Sequence, residues 1–113
     1  MNISTELSTL YDEQRALRER FVKAIRSTPV IISKDYEFEV NGVQGATLAS
    51  LFADKNDLIV IHNMGRGCKY CTLWADGLNG LLPHLTSRSS IVLMNGDSHD
   101  QQADIAQRRN WNF

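Results

Sequence analysis

Cysteine is scarce in this chain: there are two among 113 residues. That excludes a small secreted scaffold stapled by several disulfides. Proline is equally scarce, at Pro29 and Pro83, and there is no low-complexity tract or internal repeat. No run approaches the roughly 18 apolar residues of a membrane-spanning helix, so no membrane partner is expected. Met1 to Asp12 holds no basic region followed by an apolar one, which predicts no signal peptide and a cytoplasmic location. Neither charge sign dominates. Twelve Lys and Arg against thirteen Asp and Glu leave a formal net charge of −1, which argues against a general nucleic-acid surface.

What is present centres on Gly65-Arg66-Gly67-Cys68-Lys69-Tyr70-Cys71, which holds both cysteines as C-x-x-C. Leu58-Ile59-Val60-Ile61 before it reads as a buried strand, being apolar and largely β-branched. After it, Trp74, Leu78, Leu81 and Leu85 recur at helical spacing. Gly65 and Gly67 permit a sharp turn between strand and helix. Cysteines three apart at a helix start share one face. The first lies near the unpaired N–H groups and positive dipole end, which stabilise a thiolate. Arg66 and Lys69 add positive charge nearby. Cys68 is therefore the expected attacking thiol and Cys71 the resolving one.

Elsewhere, Ser4 to Arg26 reads as a long helix with an apolar stripe of Leu7, Leu10, Leu17, Phe21 and Ile25, ended by Pro29. The expected organisation is a helical extension over residues 1–29 and one domain over 30–113. Asp35 to Val40 alternates as a half-buried strand, Asn41-Gly42 is a hairpin turn, and Val43 to Ala46 returns. Thr47 can cap a short helix carrying Leu48, Leu51 and Phe52. Gly77 and Gly80 suggest close backbone approach or a kink, and Pro83 is expected to stop the helix at Leu82. Ser90 to Asn95 is a second buried strand, and Ser98-x-x-Gln101 is a capping box opening a helix to about Arg109. Apolar strands alternating with helices imply α/β architecture with a parallel pair. With C-x-x-C at the first strand's carboxyl end, the expected fold is thioredoxin-like.

The runs Leu58 to Arg66 and Cys68 to Gly77 resemble a thioredoxin-like family of largely uncharacterised function, whose members are identified as predicted dithiol–disulfide oxidoreductases. The long first helix, Asp35-Tyr36-Glu37-Phe38, Leu48-x-x-Leu51-Phe52 and the closing Arg109-Asn110-Trp111-Asn112-Phe113 fit it too, so the resemblance covers most of the chain. It implies a redox pair at Cys68 and Cys71, no cofactor, and a thiol- or disulfide-containing protein or small molecule as partner. Thioredoxins often carry an acid six residues before the first cysteine; His62 stands there, as a base near neutral pH or as a histidine merely hydrogen-bonded at a strand end. The cis-proline and the strands that follow in thioredoxins have no counterpart before Phe113, so the expected fold is C-terminally short.

Three rival readings use the same residues. Cys68, Cys71 and His84 match three zinc-finger ligands, but His99 is too far along for the fourth. A peroxiredoxin would carry Thr or Ser where Gly65 stands, three before Cys68. A binding or regulatory module would keep the C-x-x-C as inert structure, with Tyr70 and Trp74 as a partner rim; the more ordinary roles are core for Trp74 and loop cover for Tyr70. An apolar central strand with one uncovered edge is an aggregation liability. That edge and the long helix together predict a homodimer burying at least roughly 1,600 Å².

Overall fold

The structure is a computed structural model that describes residues 4–113. The chain divides into two compact units between Lys34 and Asp35, whereas the sequence suggests a boundary between 29 and 30.

The first unit is built on α1 (Thr5–Arg26). Ser4 caps it, its hydroxyl accepting from the Leu7 N–H at 3.2 Å. Glu6 in the first turn and Lys23 and Arg26 in the last complement the helix dipole. The helix stops before Pro29, as expected. Its apolar stripe is exposed: Leu10, Leu17, Phe21 and Ile25 are each more than half accessible.

The second unit begins with the hairpin β1 (Glu37–Val40) and β2 (Val43–Thr47). Asn41 and Gly42 both take positive φ, 50° and 81°, which a two-residue turn matching strand twist requires. Gln44 and Gly45 together face Glu39, a bulge that Gly45 allows at φ +93°. Of the alternating apolar set, only Phe38 is half-buried; Tyr36 and Val40 are exposed. Thr47 and Ser50 form a reciprocal capping box at α2 (Leu48–Leu51).

Then follow β3 (Asp57–His62), α3 (Lys69–Gly80), α4 (Leu82–Leu85), β4 (Ser89–Met94) and α5 (His99–Arg109). β3 and β4 pair in parallel, Asp57 opposite Ser89 through His62 opposite Met94. Ser98 and Gln101 cap α5 reciprocally, and Asn110 closes it in the left-handed conformation. The result is a mixed α/β unit with two two-stranded sheets. Among the described residues no helix is long and apolar enough to cross a membrane.

Four expectations are corrected here. β3 is not buried: Val60 is 45% exposed, because among the described residues β3 pairs with β4 alone. Pro83 does not end the helix; the break falls at Leu81, and Pro83 sits in the first turn of α4, where its missing N–H costs nothing. Gly77 and Gly80 meet no close neighbour, since a Cβ at either would point into open space. Finally, the buried line of α3 and α4 runs through Ala75 and Leu82, with Cys71 and Leu78 half-buried. Trp74 and Leu81, placed in the core from periodicity, are 70% and 51% exposed.

Candidate functional site

The site is built where β3 and β4 end side by side. Asn63 continues the ladder, its N–H donating to the Met94 carbonyl at 2.9 Å. Asn63 is also the buried polar side chain of the unit, 4% exposed. Its Oδ1 accepts from the Gly65 N–H at 2.7 Å and from Asn95 Nδ2 at 3.3 Å. Asn95 Oδ1 in turn accepts from the Asp97 N–H and from Gln102 Nε2. The Asp97 carboxylate accepts from the Arg66 N–H at 2.7 Å. One polar chain from β3, β4 and α5 therefore fixes the loop that delivers Cys68. Gly65 turns that loop at φ +102°, and a Cβ there would stand 2.9 Å from Asp97 Oδ1. The glycine is required on both counts. Gly67, by contrast, faces open space.

The loop closes when the Cys68 N–H donates to the Gly65 carbonyl at 3.1 Å. Cys68 is the N-cap of α3: its backbone is extended, and its Sγ accepts from the Cys71 N–H at 3.3 Å. Cys71 Sγ accepts from the Met64 N–H at 3.4 Å. Both cysteines are half-buried free thiols. The Cys71 thiol hydrogen-bonds to Cys68 and lowers the Cys68 pKa below its ordinary value, helped by the Cys71 and Tyr70 backbone amides against partial desolvation. The same bond to Cys68 raises the Cys71 pKa. Hydrogen bonds at the helix start account for the asymmetry, with no cationic side chain among its causes.

The supporting residues named from sequence fall on different sides. Two clefts flank α3. His62 lines an apolar one of about 300 Å³ with Ile59, Ile61, Cys71, Trp74 and Leu78, and also a larger one of about 590 Å³ with the hairpin, Ile91 and Met94. Arg66 and Lys69 are exposed and line a second cleft of about 560 Å³, across from Ile105, Arg108 and Arg109 of α5. Tyr70 lies within α3 and is 79% exposed.

A brace between α3 and the end of the chain borders the second cleft through Asp76 and Arg109. Asp76 pairs with Arg109 and accepts from Trp111 Nε1 at 2.8 Å. Arg109 first, and Trp111 second, hold the Asp76 carboxyl down at about 2. Asn79 adds two bonds, donating to the Asn110 carbonyl at 3.0 Å and accepting from the Asn112 N–H at 2.8 Å. Sequence reading passed over Asn63, Asn95, Asp97, Gln102 and Asp76. Except for Gln102, which bonds Asn95 seven residues before it, their role rests on partners about thirty positions away, for which the only local signal was an amide or carboxylate beside a strand end or helix face.

His84 lies exposed on α4, and among the described residues no three His, Cys, Asp or Glu side chains gather as a metal site. No curated protein and no solved structure matches the chain. The model of a family described as "Bacterial protein of unknown function (DUF899)" matches residues 5–113, from α1 through the C-terminal brace, and the chain belongs to that family.

Proposed function

We propose that this protein is a thiol–disulfide oxidoreductase of thioredoxin-like fold acting through Cys68 and Cys71. The observation that carries the reading is the placement of Cys68 as the N-cap of α3, its sulfur accepting from the Cys71 N–H and paired with the Cys71 thiol. The parallel β3–β4 pair joined through α3, with a hairpin before it, supports the fold assignment.

The chemistry follows from the two opposed pKa directions. The Cys68 thiolate attacks one sulfur of a substrate disulfide R–S–S–R′. The S–S bond breaks, R′S⁻ leaves and takes up a proton, and Cys68 is joined to RS in a mixed disulfide. Cys71 then loses its proton and attacks Cys68 Sγ. RS⁻ leaves, and the protein holds a Cys68–Cys71 disulfide. Two electrons have passed to the substrate, and an external dithiol returns them for the next turnover. Discharge of Cys68 removes the hydrogen bond that raises the Cys71 pKa, so the resolving thiol ionises more readily once the mixed disulfide exists. In this reading His62, which lines a cleft with Cys71, accepts that proton.

Alkylation by iodoacetamide across pH, read by peptide mass, tests the assignment. Cys68 is expected to react first and at a lower pH than Cys71. Prior alkylation of Cys71, or no reaction of either below pH 8, would sink the mechanism.

We further propose that the protein is cytoplasmic and works as a homodimer. The edge of β3 that no strand among the described residues pairs, the exposed Val60 and Trp74, and the exposed stripe on α1 support the dimer. Association would pair the backbone groups of that edge and remove the apolar side chains from water.

A further inference from the structure

The cleft between α3 and α5 holds more positive charge than its neighbours neutralise. Arg66, Lys69, Arg108 and Arg109 line it against one carboxylate, Asp76. Asp76 is already taken by Arg109, and Arg108 pairs with Asp104. Arg66 and Lys69 have no ion pair among the described residues. Asp97 is the nearby acid; its carboxylate accepts from the Arg66 backbone N–H and makes no ion pair with the guanidinium. Two uncommitted cations therefore stand one and two residues from Cys68, on the rim of a concave space of about 560 Å³. An open groove of that size accommodates a small molecule.

The position of this charge relative to the sulfur matters more than its amount. Lys69, Thr72, Leu73 and Asp76 recur at helical spacing and form one flank of α3. Cys68 caps the same helix immediately before Lys69. An extended residue spans about 3.3–3.6 Å. Cys68 does not itself line the cleft but adjoins Lys69 at the start of α3, so a substrate lying across that helix start would bring its carboxylate to Arg66 or Lys69 and its sulfur to Cys68. The opposite flank carries no cation that would favour an anion, being lined by Ile59, Ile61, Trp74 and Leu78 with His62.

We propose that this cleft binds the carboxylate arm of a low-molecular-weight disulfide, so that the substrate class is a small anionic thiol compound of roughly tripeptide size. The proposal rests on the thiol–disulfide reading and narrows it. Binding sets the substrate's S–S bond beside Cys68, and the exchange then proceeds by the bond changes given above: the disulfide gains two electrons and two protons, and the protein gains its internal disulfide.

A probe that cannot react separates binding from chemistry. S-methylglutathione carries two carboxylates and no exchangeable sulfur. Titrated into the reduced protein, it is expected to shift the amide resonances of Lys69, Thr72, Leu73 and Ile105. Arg66→Glu with Lys69→Glu should weaken that binding by about 10-fold, the combined size of two exposed ion pairs, with circular dichroism reporting the fold. Shifts confined to the β3 flank, shifts that survive the double substitution, or no shift at millimolar probe would overturn the proposal. So would an acidic peptide that binds there when S-methylglutathione does not. In turnover with dithiothreitol, oxidised glutathione should be reduced faster than cationic cystamine or neutral hydroxyethyl disulfide, and this preference should fall about 10-fold in the double variant. Binding without exchange would leave the cleft standing and reject the oxidoreductase reading. Exchange at equal rates for all three disulfides, with no binding of the probe, would reject the cleft alone.

Discussion

The two flanks of α3 are cut from the same twelve-residue helix and differ in almost every property. On one, Lys69, Thr72 and Asp76 face α5 and are tied to distant parts of the chain by the Asp76–Arg109 pair and the Trp111 indole. On the other, Cys71, Trp74 and Leu78 face β3 across an open apolar groove. Between them lies the buried Ala75. At 100° per residue, the mean directions of the two flanks are about half a turn apart. The cationic flank is committed within the chain and keeps two charges in reserve. The apolar flank is uncommitted, with Trp74 70% exposed. A helix that buries only a narrow line can use its two sides for different tasks, here an electrostatic one and a hydrophobic one.

The largest effect should come from the residue on which both flanks depend. Asn63→Ala removes the acceptor of the Gly65 N–H and of Asn95, leaving one buried and one half-buried donor unpaired. A loss of about 1–3 kcal/mol is expected on urea unfolding. Because the loop from Asn63 to Arg66 positions Cys68, the pH at which Cys68 is half-alkylated should also rise. A variant as stable as the parent would show that the polar chain does not hold the loop.

The next effect belongs to the cationic flank alone. The Asp76 carboxyl is depressed to about 2 from an ordinary 3.8. A depressed acid contributes stability that is present above its unfolded value and lost as pH falls through its folded one. The brace should therefore be intact above about pH 4 and lost progressively toward pH 2. Asp76→Asn should be less stable than the parent at neutral pH, and the two should converge below about pH 2. The Trp111 indole N–H resonance, followed through an acid titration, reports the brace directly. A gap that persists unchanged at pH 2 would mean that Asp76 acts through something other than its charge.

The smallest effect on stability is expected on the apolar flank. Trp74→Ala should change it by no more than about 0.5 kcal/mol, since the side chain is largely exposed. Association is the property it should alter. Light scattering of the parent should give a dimer mass at micromolar concentration, and the variant a larger monomer fraction. A parent that is monomeric throughout would remove the dimer, and Trp74 would then be an exposed aromatic without that role.

Local sequence chemistry determined a good part of this protein. Thr47 and Ser98 each announced a helix start because an N-cap satisfies donors three residues away. Asn41-Gly42 announced its turn because only such residues take positive φ cheaply. The β-branched run before Gly65, and the cysteines after it, placed a thiol at a helix cap without reference to anything distant. Tertiary structure alone decided which face of α3 is buried. Helical spacing shows that Trp74, Leu78, Leu81 and Leu85 share a stripe, but which stripe packs depends on where β3 and β4 lie. The line through Ala75 and Leu82 met them instead. The same holds for Asn63 with Asn95, Arg66 with Asp97, and Asp76 with Arg109 and Trp111, each about thirty residues apart. A hydrogen bond or ion pair is specified by distance and direction, and between remote residues the folded chain alone supplies both.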